Sequence, residues 1–303
     1  MSTRILELLA CPLCKASLRD GNPLVCEKCY HPFPIQDGIP VFLPEETWED
    51  PTKRINRDHH DREAAQYDEM HLHIRREARL AKRILGQVPP GGRILDIGSG
   101  TGFVPKHFPH WEICCCLDIS RGMLERLRDT IGRPNLYPVQ GDAENLPFAS
   151  DSMDIVTFAA TLHHLPDPGR SLREAARVLK PGGKAIVIHE PHAVAPGRIH
   201  YLFLAARFKW HSLFPGKVGR EAAHWARSLY PELPEEEAIR AMNRANLEAN
   251  IQQGLHPQQL FDAPLRLDRF ETYYSGRSFF DRIRSILFPA EGELFFAIAV
   301  KCR

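Results

Sequence analysis

The stretch that decides the fold is ILDIGSGTG, residues 94–102. A short apolar strand runs directly into a glycine-rich turn, and an acid, Asp96, lies near the end of the strand. Glycine reaches positive φ and lets the backbone approach a ligand, and a turn that opens a helix points free N–H groups at it. The pattern predicts a site for a nucleotide-like ligand at the carboxyl end of a β-strand.

Acids recur at the ends of the next two apolar segments. Asp118 closes the run ICCCLD, and Asp142 follows the segment 136–141. In doubly wound sheets an acid after the second strand meets ribose hydroxyls. Phe103 stands where the dinucleotide fingerprint has its third glycine, so the pattern disfavours NAD. A mere cap of a strand end is the alternative for each acid.

Three motifs occur in a fixed order: LDIGSGTG at 95–102, GDAENLPF at 141–148 and LKPGG at 179–183. In these motifs, over roughly residues 90–190 and again near 295–301, the chain resembles the class I S-adenosylmethionine-dependent methyltransferases. The resemblance implies an α/β, Rossmann-like sheet of seven strands in the order 3-2-1-4-5-7-6. Its seventh strand is antiparallel, and the cofactor S-adenosyl-L-methionine lies across the first two strands.

The same resemblance implies roles for individual residues. The glycines of the turn pass beneath the methionine part, Asp96 accepts from the ammonium group, Asp118 binds the ribose, and Asp142 with the Ala143 N–H faces the adenine. The aromatic ring in AAQYD, residues 64–68, closes over the cofactor, although packing on a helix surface is an equal alternative. The cofactor-binding residues predicted in this way are Tyr67, Asp96, Gly98, Ser99, Gly100, Gly102, Asp118, Ile119, Asp142, Ala143 and Ala159.

Four cysteines near the start of the chain form two C-x-x-C knuckles. They are Cys11, Cys14, Cys26 and Cys29. Four thiolates at this spacing suit a closed, tetrahedral zinc site, and the segment between them is too short to form a core without metal. Disulfides are disfavoured because three more cysteines, residues 114–116, lie on a predicted core strand. We expect structural zinc, which Cys26→Ser releases while cofactor affinity stays largely intact.

Residues 8–43, with LLACPLC and then FPIQDGIPVFL, resemble the zinc-ribbon modules that activate RNA and protein methyltransferases. The resemblance implies a protein partner or a recognition surface at the ribbon. Basic and acidic residues are equally frequent through Leu43, whereas phosphate binding needs clustered Lys and Arg. The charge pattern therefore weakens RNA binding by this module.

The chain divides into three predicted parts: a zinc ribbon at 1–44, a linker with N-terminal helices at 45–90, and a methyltransferase domain at 91–303. Residues 191–288 are predicted to be a mainly helical insertion after strand 5. Within it, residues 198–214 are apolar and aromatic. This segment is a lid over a hydrophobic acceptor, a helix buried in the core, or a contact with a lipid interface.

Candidate bases follow the fourth and fifth strands. His163 and His164 lie in the loop that borders the transferred methyl in the family, and His189 ends the fifth strand. Imidazole accepts a proton near neutral pH, which methyl transfer requires only when the acceptor keeps its proton. A hydrogen-bonded structural histidine is the alternative for each of them.

The formal net charge is +1, which gives no general attraction to nucleic acid or anionic membrane. No apolar run is long enough for stable membrane insertion, and the N-terminus is unlike a signal peptide, so we predict a cytoplasmic protein. The predicted function is methyl transfer to a small, partly hydrophobic molecule. The alternatives are methylation of ribosomal or transfer RNA, and a non-catalytic cofactor-binding partner protein.

Overall fold

A computed structural model describes most of the chain. The described residues are 3–70, 78, 81–83, 85–86, 92–108, 111–192, 224–234, 237–238, 255, 260–261, 264–273 and 294–302. Within these residues, no helix combines the length and the apolar character needed to cross a membrane.

The described elements form two sheets with helices around the larger one. The strands are β1 (Leu18–Arg19), β2 (Leu24–Cys26), β3 (Pro32–Phe33), β4 (Ile35–Gln36), β5 (Ile39–Phe42), β6 (Arg93–Ile97), β7 (Ile113–Asp118), β8 (Leu136–Gly141), β9 (Met153–Ala159), β10 (Leu179–Pro191), β11 (Leu265–Tyr273) and β12 (Leu294–Lys301). The helices are α1 (Thr3–Leu6), α2 (Pro51–Glu63), α3 (Tyr67–Met70), α4 (Phe103–His107), α5 (Arg121–Ile131) and α6 (Pro168–Val178), with single 3-10 turns at Glu45–Trp48 and Leu162–His164.

The large sheet has the order β11-β12-β10-β9-β6-β7-β8-β5-β4. Strands β6 to β10 pair in parallel, and β12 runs antiparallel to both β10 and β11. The strand β7 is buried at every position, as expected for a parallel strand covered on both faces. The α/β class with a mostly parallel central sheet is confirmed, and β6 to β12 follow the predicted order.

The sheet is wider than the predicted seven strands. The hairpin β4–β5 belongs to the cysteine-containing segment, and β5 pairs in parallel with β8, placing Val41 opposite Gln140 and Phe42 opposite Gly141. Without this hairpin, β8 would be an edge strand with unpaired backbone groups. The last strand pair of the N-terminal segment therefore continues the central sheet.

The prediction of a mainly helical insertion at 191–288 is wrong at its carboxyl end. Residues 265–273 form β11, a nine-residue strand paired with β12. Leu265 and Leu267 alternate with Arg266 and Asp268, a period of two that marks a strand. The aromatic segment predicted to be a lid, residues 198–214, lies outside the described residues.

The N-terminal segment also braces the loop after β8. The Ala10 N–H donates to the Pro147 carbonyl at 3.0 Å, and the Ala149 N–H donates to the Leu8 carbonyl at 2.8 Å. Leu9 forms an antiparallel bridge with Phe148. We call these backbone contacts, together with the β5–β8 pairing, the loop brace. The loop brace holds residues 140–149 from two sides.

Helix α2 is held to the rest of the protein at several points. It begins after Asp50, whose carboxylate caps the helix by accepting from the Thr52 N–H at 2.8 Å. Asp61 accepts from the Ser120 hydroxyl at 2.6 Å and from the Gly122 N–H at 2.8 Å, at the start of α5. These contacts fix α2 beside the turn that follows β7.

Candidate functional site

A cavity lies where the turns after β6, β7, β8 and β9 meet α2. It contains about 770 Å³ of empty space, including its open mouth. The predicted site residues that line it are Tyr67, Gly98, Gly100, Asp118, Ile119, Asp142, Ala143, Ala159 and His164. The predicted residues that do not line it are Asp96, Ser99, Gly102, His163 and His189. The structure thus brings most of the predicted residues to one cavity.

The three glycines of the turn have positive φ, but for different reasons. A Cβ on Gly98 (φ +65°) would lie 2.3 Å from the Thr161 side chain, and one on Gly102 (φ +91°) would lie 2.5 Å from Ile131 of α5. A Cβ on Gly100 (φ +50°) would meet no protein atom within 4 Å. The idea that all three glycines make room for a ligand is therefore corrected, because protein atoms already occupy the space beside Gly98 and Gly102.

Asp96 is buried at the end of β6. Its Oδ1 accepts from the Thr157 hydroxyl at 2.6 Å, and its Oδ2, also buried, has no hydrogen-bond partner among the described residues. Burial raises the pKa of Asp96 to about 7; the charge of Asp118 adds to this rise, and the hydrogen bond from Thr157 opposes it. A buried carboxylate oxygen without a donor is costly, so this atom is suited to a cationic or hydrogen-bonding ligand.

Asp118 closes the glycine turn onto β7. Its Oδ2 accepts from the Gly100 N–H at 2.8 Å, and its Oδ1 accepts from the Ser120 N–H at 2.9 Å. Burial raises its pKa, although these hydrogen bonds and the charge of His60 oppose the rise. The residue is therefore a structural cap and also part of the cavity wall, since each carboxylate oxygen has a second lone pair.

Lys53 is a cavity residue that the sequence did not identify. Its buried amino group donates to Asp142 Oδ2 and to Glu144 Oε2, both at 2.8 Å. Asn56 and His60 line the cavity from the same face of α2, at spacings of three and four residues. These residues could not be identified from the sequence, because they belong to a charge-rich helix and the basic residues of such helices usually contact solvent.

The other predicted cofactor residues take supporting positions. Tyr67 begins α3 and lines the cavity. The Ser99 N–H donates to the Leu117 carbonyl at 3.0 Å, and the buried Ser99 hydroxyl has no partner within the described parts of the chain. The Ile119 carbonyl accepts from the Gln140 amide at 3.0 Å, which fixes the backbone after β7.

His163 is held away from the cavity by Glu190. The fully buried Glu190 carboxylate accepts from the N–H groups of Thr161 at 2.6 Å, Leu162 at 2.8 Å and His163 at 3.1 Å. The ring Nδ1 of His163 lies 2.8 Å from the same carboxylate. Glu190 thus shapes the turn after β9, and His163 supports that turn as a structural histidine.

The other two predicted histidines, His164 and His189, differ in whether they reach the cavity. His164 lines the cavity, and its buried Nδ1 has no hydrogen-bond partner among the residues that the structure describes. Burial, and then the nearby rings of His163 and His60, lower its pKa well below the ordinary value. His189 has φ +62° and packs its ring against Phe103, with centroids 5.3 Å apart. Of the three predicted histidines, only His164 is at the cavity.

The four predicted cysteine ligands come together at the knuckles. Their sulfur atoms all lie within 4.8 Å of one another. The backbone N–H groups of Lys28 and Cys29 donate to the Cys26 sulfur, each at 3.4 Å, which favours the thiolate form. This donor set has the number, type and spacing of ligands for a tetrahedral thiophilic metal.

Comparison with known families confirms both resemblances drawn from the sequence. Residues 95–187 match the family described as Methyltransferase domain, and residues 2–38 match the family described as Trm112p-like protein. Two separate segments of the chain are therefore similar to these two families.

Individual relatives cover only part of the chain. The match to 2-methyl-6-phytyl-1,4-hydroquinone methyltransferase 1, chloroplastic, of Oryza sativa subsp. japonica is 37% identical over 39% of this chain and 34% of that protein. The match to demethylmenaquinone methyltransferase of Renibacterium salmoninarum is 39% identical over 39% of this chain and 49% of that protein. The matches thus span half or less of each relative.

Among solved structures, the chain is similar to one from a complex between the Haloferax volcanii Trm112 methyltransferase activator and a methyltransferase. The TM-score is 0.49 at 17% identity, and the match covers 84% of this chain and 99% of the other.

Proposed function

We propose that the protein transfers the methyl group of S-adenosylmethionine to a small, partly hydrophobic acceptor. The observation that carries this proposal is a cavity that joins the glycine turn, Asp118 and Asp142 at their strand ends, and α2. When bound, the sulfonium cofactor supplies an activated methyl group. The protein's own part is to position the two reactants in line, which accounts for most of the acceleration in such a displacement.

Different residues of the site suit different parts of S-adenosylmethionine. Gly100 leaves open space for the methionine end. Asp96 does not line the cavity, but its buried Oδ2 has no partner among the described residues, and we assign it to the ammonium group or to a water that joins the two. Asp118 has lone pairs for ribose hydroxyls, and Asp142, held by Lys53, stands at the adenine end. Tyr67 closes the cavity from α3. Each assignment is carried over from the family resemblance.

The lining favours a small molecule over RNA. Apolar residues form much of the wall beyond the acids: Leu117, Ile119, Met123, Leu165 and Pro166. The one lysine of the lining, Lys53, is already neutralised by two carboxylates, whereas RNA binding requires cations free to meet phosphates. Both curated relatives are named for ring-bearing, hydrophobic acceptors. We therefore place quinols first among the acceptors to be tested.

For the N-terminal segment we propose one structural zinc ion held by Cys11, Cys14, Cys26 and Cys29. The closed four-sulfur geometry supports a structural rather than a catalytic metal. The division into parts at 1–44, 45–90 and 91–303 remains a proposal. The ribbon is also a candidate surface for a protein partner. A cytoplasmic location is likewise proposed, and cell fractionation tests it.

A matched pair of glycine variants tests the cofactor site. Gly100 and Gly132 have similar φ values, +50° and +56°, and a Cβ on either would meet no protein atom within 4 Å. Gly132 ends α5, away from the cavity lining. We expect Gly100→Ala and Gly132→Ala each to cost about 1 kcal/mol of stability from the left-handed backbone. Only Gly100→Ala is expected to weaken S-adenosylmethionine binding, by about tenfold or more, in calorimetry.

Equal affinity of the two variants for S-adenosylmethionine would contradict this assignment. Failure of the wild-type protein to bind S-adenosylmethionine would reject the proposal that it is a methyltransferase.

The class of acceptor is tested with labelled cofactor and three probes: 1,4-naphthoquinol, aniline, and total RNA from cells lacking the protein. Labelling of the quinol alone supports the proposal, and labelling of RNA alone supports the alternative.

A further inference from the structure

A second group of titratable residues lies on α2, beside the proposed methyl-transfer site. His60 lines the cavity, and its ring Nδ1 lies 2.5 Å from Glu63 Oε1. Glu63 is buried, while the side chain of His60 is 21% exposed. The other ring nitrogen, Nε2, makes no hydrogen bond within the described parts of the chain. His60 therefore has one nitrogen held by a carboxylate and one available to a ligand.

The group continues away from the cavity. The other oxygen of Glu63, Oε2, lies 3.6 Å from the Nε2 of His59. The Nδ1 of His59 is 3.0 Å from the Tyr230 hydroxyl. The side chains of Tyr230, His59, Glu63 and His60 thus form a buried to half-buried polar chain that ends at the cavity. The 3.6 Å between Glu63 and His59 is too long for a hydrogen bond, so the hydrogen-bonded pair that reaches the cavity is His60 with Glu63.

His164 faces this chain from the opposite element. The rings of His60 and His164 meet edge to face, with centroids 5.4 Å apart. Asn56 donates to the His164 carbonyl at 2.8 Å and so ties α2 to the turn after β9. Because the pKa of His164 is lowered, its ring is neutral near pH 7 and a weak base. His60 differs because its Glu63 partner stabilises an imidazolium.

Building on the proposed function, we propose that His60, oriented by Glu63, is the general base of the reaction, and that the acceptor is a molecule whose nucleophile carries a hydroxyl proton. The phenolic hydroxyl of a quinol is such a group. In the step, the acceptor O–H bond breaks and its proton passes to His60 Nε2. The electron density released forms the new bond from the acceptor to the methyl carbon, and the methyl–sulfur bond breaks with its electron pair remaining on sulfur.

For methylation at a ring carbon, the C–H proton at that carbon leaves afterwards to restore the aromatic ring. The same imidazole, once its first proton has moved to Glu63 or solvent, accepts it, and the phenolate oxygen that results regains a proton from solvent. An amine acceptor with a free lone pair would need no such base, so this group of residues is informative about the acceptor class.

The charges around His60 come from three elements. Glu63 and Asp61 lie on α2 with His59, Asp118 ends β7, and His164 lies after β9. Burial lowers the pKa of His60, but the Glu63 hydrogen bond and the charges of Glu63, Asp118 and Asp61 outweigh it, and the pKa is raised overall. His60 must be neutral to accept a proton, so activity rises with pH through this raised value.

The test uses the zinc-loaded full chain, S-adenosylmethionine and reduced 1,4-naphthoquinol. His60→Gln is expected to lower kcat about 10²- to 10⁴-fold near pH 7, the range of a lost general base, with cofactor affinity within about threefold of wild type. The loss should shrink about tenfold per pH unit above neutrality, because the phenol then ionises in solution. A structural role for His60 would instead give a loss that does not depend on pH.

Glu63→Gln keeps the imidazole and removes the carboxylate. Its acid limb in kcat/KM is expected to move to lower pH, with a lower plateau, because the base is weaker. Asp58→Asn is the matched control, since Asp58 is an exposed acid on the same helix, 58% accessible. It should leave the profile unchanged. Wild-type protein should show a solvent deuterium isotope effect on kcat, a readout that requires no variant.

Three outcomes overturn the inference: less than threefold loss in His60→Gln, a loss equal at every pH, or a wild-type rate without an acid limb or isotope effect. If both variants fail to bind cofactor, the wild-type pH profile and isotope effect decide. Failure of the proposed function is distinguishable, because the wild-type protein would then label none of the probes, and this inference would fail with it.

Discussion

Cys26→Ser is expected to lower S-adenosylmethionine affinity about tenfold or more, together with the loss of zinc and of ribbon stability. Considered as a sequence, the ribbon is a separate module, and cofactor affinity should survive its loss. The contacts favour the opposite result. The loop brace and Lys15 act on residues 140–149, and Asp142 within that stretch is a proposed cofactor ligand.

The size of the effect follows from the contacts that would be lost. Two backbone hydrogen bonds join residues 8–10 to residues 147–149, and the Lys15 amino group lies 2.8 Å from Glu174. Glu174 in turn accepts from the Leu146 N–H at 2.9 Å. At roughly 1 kcal/mol for each hydrogen bond, losing two or three would change the loop's ordered fraction, and so the cofactor affinity, by tenfold or more.

The measurement is cofactor calorimetry beside zinc analysis and thermal unfolding. Cys302→Ser is the matched control, because Cys302 is an exposed free cysteine outside the cluster. It should change none of the three readouts. Chelation of zinc from the wild-type protein should reproduce the Cys26→Ser affinity. A variant that loses zinc yet binds cofactor with unchanged affinity would restore the ribbon as an independent unit.

The predictability of this protein differs between its backbone and its cavity. The positions of β6 to β10 and of β12 follow from motifs in a fixed sequence order, and the family resemblance implied how these strands are arranged in the sheet. The addition of β4 and β5 was not predicted, because pairing between Val41 and Gln140 depends on an open sheet edge that has no local signature. Likewise, residues 265–273 carry no family motif, so β11 fell inside the predicted helical insertion although its apolar and polar residues alternate.

The site shows the same contrast. Asp118 and Asp142 could be found because motifs place them at strand ends. Lys53, Asn56 and His60 could not be found in this way, because α2 carries no motif. The buried face of α2 contains charged residues, and charged residues normally indicate a face exposed to solvent. His163 was predicted because it lies in the loop that borders the transferred methyl in the family, and His60 has no such sequence context.

Asp96→Asn is expected to weaken S-adenosylmethionine binding by roughly 10- to 100-fold, the effect of losing a hydrogen bond to a charged group. It should also change how stability depends on pH. Asp96 has a pKa near 7 in the folded protein, against 3.8 for an unperturbed carboxyl group. Between these values the folded state binds a proton that the unfolded state has released.

The direction of the pH dependence of stability follows from this difference in proton binding. The extra stability is fully present below about pH 4 and is lost as pH rises to about 7, at up to about 1.4 kcal/mol per pH unit. Wild-type cofactor-free protein should therefore lose roughly 2 kcal/mol of unfolding free energy between pH 5 and pH 7 through this residue. Asp96→Asn should lack that part of the slope, as denaturant titrations at several pH values would measure.

Cofactor binding should be coupled to the same proton. An ammonium group beside Asp96 favours the carboxylate, so binding at pH 6 should release close to one proton, and calorimetry in buffers of different ionisation enthalpy measures it. Thr157→Val is the matched variant, because it removes the hydroxyl that donates to Asp96 at 2.6 Å. It should raise the pKa of Asp96 further and move proton release to higher pH, whereas Asp96→Asn should abolish it. Equal proton release in the wild-type protein and in Asp96→Asn would show that the unpartnered oxygen of Asp96 does not meet the cofactor.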